Sequence, residues 1–417
     1  MPRLQVVVIG GGAAGFFGAI TCATTHPHAQ VTLLEAGRQV LSKVRISGGG
    51  RCNVTHACFD PALLVQHYPR GGKALRGAFT RFQPKDMVAW LQTQGVSLKT
   101  EADGRMFPVT DDSETIVTCL LRAAQAAGVQ ICTGSAVTQV QRDVDGRFRV
   151  MLRGGAVVIG DRLLLATGSS PQGYHIAASL GHEIEPPVPS LFTLQLPDPR
   201  LRGLAGIAVD PVHIHLHSAD GQRLEQTGAL LITHWGISGP AVLKLSAWGA
   251  RLLHHCHYCA TVLINWLPHI SVETLRQELL ATKEHQAKRT IAAHCPLPLP
   301  RRLWERFVTT AGIAADQRWA TLSSKQLTHL MQELSRGSYI TSGKGVFKEE
   351  FVTCGGVNLK QVDFKTMQSR CCPGVYFAGE VLDIDGVTGG FNFQSAWTTG
   401  WIAGQAIGNL SSTDTPS

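Results

Sequence analysis

Val6-Val7-Val8-Ile9-Gly10-Gly11-Gly12-Ala13-Ala14-Gly15, followed by Val31-Thr32-Leu33-Leu34-Glu35, decides the fold. The apolar run at residues 4–9 breaks at once into glycines, so it reads as a buried strand rather than an export signal. A helix is expected from about Ala13 to Thr25, and a second strand from Val31 to Glu35. Strand, glycine turn, helix and strand make a βαβ unit. Within it the glycines fit G-x-G-x-x-G. Gly10 permits the tight turn, Gly12 lets a backbone approach a pyrophosphate, and Gly15 lets helix and strand pack closely. The free N–H groups and partial positive charge at the helix start favour phosphate.

Glu35 ends the second strand, twenty residues after Gly15. A carboxylate there accepts from ribose hydroxyls and repels a 2′-phosphate, which favours FAD or NAD over NADP. The other end of the chain separates these two. Phe377-Ala378-Gly379-Glu380 closes a late strand, and Gly386-Val387-Thr388-Gly389-Gly390-Phe391-Asn392 opens the last helix, at about Gln394 to Ile407. A second glycine-rich helix start suits the far end of a long cofactor, where its dipole would stabilise charge on a reduced flavin ring. FAD is therefore the expected cofactor; the alternative is a structural turn. Ser47-Gly48-Gly49-Gly50-Arg51-Cys52-Asn53 offers backbone N–H groups for an anion nest and Arg51 for a phosphate, or else is a surface loop. A further strand, Arg162 to Ala166, ends at Thr167-Gly168, adding another glycine turn to the nucleotide-binding set.

The 417 residues suffice for two or three domains. A net charge of +8 comes from scattered Lys and Arg without a dense block, so no specific nucleic acid is expected. Eleven irregularly spaced cysteines argue for reduced thiols and a cytoplasmic protein. No apolar stretch is long enough to span a bilayer, and the tail from Asn409 to Ser417 reads as frayed.

Helices are expected at 84–95 and 112–127, the latter capped by Asp112 or Ser113 and stopped by Gly128. Val137 to Gln141, Arg147 to Leu152 and Ala156 to Val158 read as a meander. Pro186-Pro187-Val188-Pro189 breaks the pattern and marks a boundary. The fold class is α/β: a discontinuous Rossmann-like FAD-binding domain interrupted by a β-rich domain and a small helical domain. The segments are 1–188 for the first part, 189–268 for the β-rich insertion with one helix near Pro240 to Arg251, and 269–336 for the helical domain. A return strand at 337–345 and the second FAD-binding part at 346–417 complete the chain.

The glycine motif, Leu34-Glu35, S-G-G-G-R-C-N, T-H-W-G-I-S-G-P (Thr233 to Pro240) and A-G-E-V-L-D-I-D-G-V-T-G-G-F-N-F-Q (Ala378 to Gln394) together resemble the BaiN/YhiN-type, aminoacetone-oxidase-like family of bacterial FAD-dependent oxidoreductases. The resemblance covers essentially the whole chain. It implies the same split FAD domain, and FAD contacts at Ala14, Glu35, Lys43, Arg51, Asn53, Val137, Glu380, Gly390 and Asn392. Thr167-Gly168-Ser169-Ser170 departs from the T-G-G more usual in the family.

The catalytic groups are left open. His234, in the T-H-W-G turn, is either an acid or anion contact, or a packing histidine. Arg105 is a candidate substrate contact on similar terms. Cys52 with Cys58 could form a redox pair only with depressed thiol pKa and exposure. His254-His255-Cys256-His257-Tyr258-Cys259 lacks a second ligand pair, so no metal is expected and a buried strand edge is. Cys371-Cys372 reads as two small core or loop residues. No second strand–GxGxxG–helix unit is found, so NADH or NADPH, if it is the electron donor, would have to visit the flavin directly. The expected function is flavin-mediated hydride transfer with a small-molecule substrate. The alternatives are a flavin-dependent RNA-modifying enzyme and a non-enzymatic FAD-binding redox sensor. Oligomeric state is not legible.

Overall fold

The computed structural model describes residues 3–218, 221–345 and 352–409. The tail expected to fray therefore lies, from residue 410, outside the described residues. The chain divides into two units, Met1–Val188 with Val352–Ser417, and Pro189–Phe351.

The first unit is built on the opening motif. Strand β1 (Leu4–Ile9), helix α1 (Ala13–Thr25) and strand β2 (Ala29–Leu34) form the expected βαβ unit. The sheet runs in the order Gln130–Cys132, β2, β1, Arg162–Leu165, Val375–Phe377, all parallel. Two short antiparallel strands, Gln368–Ser369 and Val362–Asp363, extend it. β1 is buried at every position but Gln5, as a central strand covered on both faces must be. Ile9 pairs with both Leu34 and Leu165, and Leu165 with Phe377. This register aligns the carboxyl ends of four strands, so Gly10, Glu35, Ala166 and Ala378 emerge at one edge. In such sheets that edge is where ligands bind.

α1 is buried from Ala14 through Cys22 because it lies between the sheet and the last helix, Phe391–Ile407. That contact runs through glycine. A Cβ on Gly400 would stand 2.6 Å from the Ala14 carbonyl oxygen, and one on Gly404 would stand 2.6 Å from that of Gly18. Only hydrogen fits at either position. Around the crossing Phe17 packs on Phe82, Trp90 and Trp397, with ring centroids 5.3, 4.9 and 5.8 Å away. The last helix begins at Phe391, three residues before the sequence suggests, because Gly390 caps it directly. The meander forms as expected (Val137–Arg142, Phe148–Leu152, Val157–Gly160), and Asp112 caps Ser113–Ala126 by accepting from the Glu114 amide.

The prolines at 186, 187 and 189 do not break the chain's extended course. Ile184–Ser190 is a strand and pairs with Val352–Val357. A two-stranded ribbon has a free edge along which a proline needs no ladder hydrogen bond. Gly355, at φ +109, allows the approach: a Cβ there would stand 2.4 Å from the Pro186 carbonyl oxygen.

The second unit carries an antiparallel sheet in the order Gly337–Ile340, Thr261–Asn265, Ala208–His217, Arg223–Ile232, Gly236–Ser238, Leu194–Gln195, Gly343–Lys344. The helix expected near Pro240 to Arg251 is two, Pro240–Trp248 and Ala250–His255, divided at Gly249. Val272–His285, Arg301–Thr310 and Ser324–Arg336 are the expected helices. Their apolar faces share one core with the sheet, in which Val212, Ile264, Trp304 and Leu330 are fully buried. The β-rich and helical stretches, read from sequence as separate domains, are thus one packed body. Among the described residues, no helix is long and apolar enough to cross a membrane.

Replacing Gly400 with valine drives a side chain into the α1 backbone. Thermal unfolding should show a loss of about 1–3 kcal/mol, the scale of core overpacking. An unchanged melting temperature would mean that the two helices are not held at this spacing.

Candidate dinucleotide-binding site

The crevice begins at the three glycines after β1, whose surroundings differ sharply. Gly10 (φ +112) would, with a Cβ, stand 2.3 Å from the Ala166 carbonyl oxygen, and Gly15 would stand 1.9 Å from the Gly10 carbonyl oxygen. Both are required by the protein itself. Gly12 has nothing within 4 Å of a Cβ position and is exposed. It caps α1 without a side-chain partner. The first-turn N–H groups, Ala14 among them, have no intrahelical acceptors. The space over Gly12 leaves this helix start open to a ligand.

Glu35 stands beside it. Its Oε2 accepts from the Gly11 amide and its Oε1 from the Gly37 amide, both at 2.7 Å. These bonds fix the carboxylate and leave a lone pair on each oxygen for a ribose diol. The Glu35 carbonyl accepts from the Ser135 amide at 2.8 Å, which brings the start of the meander, with buried Val137, against this end.

The closing loop is held to the first half of the chain by side chains. The Asn53 amide nitrogen donates to the Thr55 carbonyl and its oxygen accepts from the Gly390 amide, both at 3.0 Å. Asn392 bonds both the amide and the carbonyl of Gly386, at 2.8 and 2.9 Å, so its side chain braces the loop from within. Gly390 (φ +91) lies so close to Thr55 that a Cβ would stand 2.5 Å from that carbonyl oxygen. Gly389 (φ +132) packs on the Phe391 ring. Gly379 donates to the Thr399 hydroxyl at 2.9 Å and leaves no room for a Cβ against Ala14.

Several residues here were not singled out from sequence. Buried Asp385 is ion-paired with Arg70. His67 stacks on Phe391 at 4.2 Å and His56 at 4.7 Å. The one sequence signal was Asp385 itself, a carboxylate inside an apolar, glycine-rich run. Its partner, 315 positions away, carries no pattern.

Lys43, Ser169 and Glu380 meet, from a helix, a turn and a short 3-10 segment. The Lys43 ammonium donates to Glu380 at 2.6 Å and to the Ser169 hydroxyl at 3.3 Å, and Glu380 also accepts from the Thr353 amide at 2.9 Å. Gly168 (φ +60) turns the chain beside Glu380. The Thr167 hydroxyl is buried with no partner.

S-G-G-G-R-C-N is not a loose loop. A helical turn starting at Ser42 runs into Gly48, Gly49 and Gly50 at φ +58, +71 and +85, a left-handed run that only glycine makes without strain. Gly48 is wedged against Phe107, whereas Gly49 and Gly50 face open space. Arg51 is held by carboxylates and an aromatic ring. Its guanidinium pairs with Glu101 at 2.7 Å and Asp111 at 3.6 Å and lies 4.0 Å over the Phe107 ring. Glu101 holds the Arg51 pKa above its ordinary value. Arg105 joins the same network, paired with Glu101 at 2.8 Å and Asp103 at 2.7 Å.

The cysteine pair is corrected by burial. Cys52 is fully buried, and burial pushes its thiol up to about 12 against a smaller pull from Ser47. Burial also raises Cys58. Both are free thiols. A nucleophilic or redox thiol needs the opposite environment. His234 lies on an exposed turn of the second unit beside exposed Trp235, their rings 5.8 Å apart. His254 to Cys259 is a helix end and turn, not a strand edge: Ala250–His255 is helical and His257 and Tyr258 take positive φ. Cys371 is exposed and Cys372 buried in a turn.

The open cradle at Gly12, the fixed carboxylate of Glu35 and two glycine-capped helix starts fit a dinucleotide. The HI0933-like protein Rossmann domain matches residues 4–406. The chain belongs to the HI0933-like family. It is 32% identical to a ribosomal RNA dihydrouridine synthase of Escherichia coli, over 98% of both chains. It is 27% identical to a 3-dehydro-bile acid delta(4,6)-reductase of Clostridium scindens, over 96% of this chain and 98% of that one. The fold is also that of a 3-ketosteroid-delta4-(5alpha)-dehydrogenase from Rhodococcus jostii, at a TM-score of 0.52 and 17% identity, over 98% of this chain and 97% of that one.

Burial makes a prediction about the thiols. Brief iodoacetamide treatment at pH 8 with peptide mass mapping should label exposed Cys259 and Cys371 and leave Cys52 unmodified. Labelling of Cys52 at a similar rate would show that it is accessible as thiolate.

Proposed function

We propose that this HI0933-like protein is an FAD-dependent oxidoreductase that reduces a carbon–carbon double bond conjugated to a carbonyl group, drawing electrons from NADH or NADPH. What supports the cofactor is that two glycine-capped helices, starting after Gly12 and Gly390, pack against each other through Gly400 and Gly404. One helix start, at Gly12, suits the pyrophosphate. The other, at Gly390, suits the electron-rich edge of a flavin ring. Glu35 would orient the adenosine ribose. Lys43 and Glu380, already paired, would add polar contacts without net charge. A bound flavin would supply hydride transfer; the protein contributes orientation, a fixed electrostatic field and exclusion of water.

The substrate class comes from what two relatives share. A dihydrouridine synthase by its name saturates the uracil double bond beside a ring carbonyl. A 3-dehydro-bile acid delta(4,6)-reductase by its name acts on double bonds in line with a 3-oxo group. In a reduction of this class, hydride would enter the carbon remote from the carbonyl and a proton the adjacent carbon. The carbonyl carries the developing charge between these events. With a nicotinamide donor, the balance would be one hydride from NAD(P)H and one solvent-derived proton consumed, and NAD(P)+ released. A uridine in ribosomal RNA is the second reading, supported by the Escherichia coli relative's match over nearly the full length of both chains. The scattered basic charge gives it no further support.

The test is an anaerobic absorbance spectrum of the purified protein with NADH or NADPH, followed by acceptor. Bleaching by a nucleotide and reoxidation by a conjugated enone support the main reading. Reoxidation only by uridine-containing ribosomal RNA selects the second. A flavin that neither nucleotide bleaches defeats the proposed donor.

Gly12→Val tests the site without disturbing the fold, since Gly12 has an ordinary φ of −89° and open space around it. The variant should match the wild-type circular dichroism spectrum yet purify without flavin. Full retention of flavin would remove Gly12 from the site. Glu35→Ala should weaken FAD by about 1–3 kcal/mol, the range for lost charged hydrogen bonds, as read by equilibrium fluorescence.

A further inference from the structure

The strand Ala208–His217 alternates with unusual regularity. Val212, Ile214 and Leu216 are fully buried, so His213, His215 and His217 project together from the opposite face. The neighbouring strand, Arg223–Ile232, sets Glu225 directly opposite His215 and Thr227 directly opposite His213. Register thus gathers two imidazoles and a carboxylate that the sequence separates. The Glu225 Oε2 lies 3.6 Å from His213 Nε2 and 3.5 Å from His215 Nδ1. The two rings stand 4.2 Å apart. Ligands bound tetrahedrally at about 2.0–2.1 Å lie about 3.3 Å from one another; the two Glu225 distances are close to that, and all three donor groups lie within 4.8 Å of one another.

A second contact selects the ligand atom. His213 Nδ1 lies 2.6 Å from the Thr227 hydroxyl. With Nδ1 engaged there as donor, the Nε2 lone pair is left pointing toward Glu225 and His215. Outer partners of this kind fix tautomer and ring orientation in metal sites.

We propose that His213, His215 and Glu225 form a three-ligand site for one divalent transition-metal ion of the zinc or copper type, with a fourth position open to water. Two imidazole nitrogens and one carboxylate suit those ions. Magnesium and calcium, which take oxygen ligands, are rejected. Thr227 is a positioning residue: it holds the His213 ring without touching the ion. The site belongs wholly to the second unit and uses none of the residues assigned to the dinucleotide crevice.

The test is calorimetric titration of the full chain, without a histidine tag and after chelator treatment, using zinc chloride and separately magnesium chloride. One zinc ion per chain should bind and magnesium should not. His215→Ala and Glu225→Gln should each weaken zinc at least about tenfold, and Thr227→Val about tenfold, the lower end for lost outer contacts. The double variant His257→Ala/Cys259→Ser should bind as wild type, because those exposed residues offer imidazole and thiolate donors outside the proposed site. All these positions lie on exposed or half-buried surface, and metal-free melting curves identify any variant that has lost its fold. Cobalt(II) provides a second readout: its visible spectrum should show tetrahedral or five-coordinate nitrogen–oxygen ligation. The proposal fails if His213→Ala/His215→Ala binds zinc like wild type, if magnesium competes, or if cobalt shows thiolate charge-transfer bands.

Discussion

The crossing of α1 against the last helix is the contact on which the first unit depends. Ala14 and Gly18 on one side meet Gly400 and Gly404 on the other, backbone against backbone. No side chain larger than hydrogen fits at either glycine of the last helix. This closeness carries the two ends of the chain to a single edge of the sheet. It also sets the spacing between the two glycine-capped helix starts. The side-chain bonds from Asn53 to Gly390, Thr55 to Gln394 and Trp397 to Val54 then secure what the crossing has positioned.

Charge at the crevice is handled by pairing. Lys43 is matched by Glu380, Arg70 by Asp385, and Arg51 and Arg105 by Glu101 with neighbouring carboxylates. Oriented backbone N–H groups at the helix starts and in the Gly48–Gly50 run add fixed dipoles beside these pairs. Such dipoles are rigid and do not have to be reorganised as charge moves, which suits hydride chemistry. The buried Arg70–Asp385 pair is a poor source of net stability, since desolvation offsets attraction. Its effect is to lock the loop that contains Gly386 to Gly390 in one register.

The glycines show how far local rules reach. Gly10 and Gly15 are demanded by the protein's own backbone, as the motif implies, whereas Gly12 has open space where a side chain would stand. Arg51 shows the limit. A basic residue in a glycine-rich segment reads as a phosphate ligand, yet tertiary folding places Phe107, Glu101 and Asp111 around it. Cys52 illustrates the same limit from the other side. Its thiol chemistry depended on burial, a property of neighbours distant in sequence.

The sequence by itself determined the βαβ opening, the glycine-capped last helix and the interrupted α/β plan, because hydrophobic period, glycine spacing and the placing of one acid are local signals. It also marked the passage near Pro186 to Pro189, although the chain there proved to be a paired strand. Only the tertiary structure decided which polar residues face one another. The Lys43–Glu380 pair, the His56–Phe391–His67 stack and the alignment of His215 with Glu225 arise from strand register and helix packing. Those depend on the summed fit of surfaces far apart in the chain, and no short stretch of sequence encodes them.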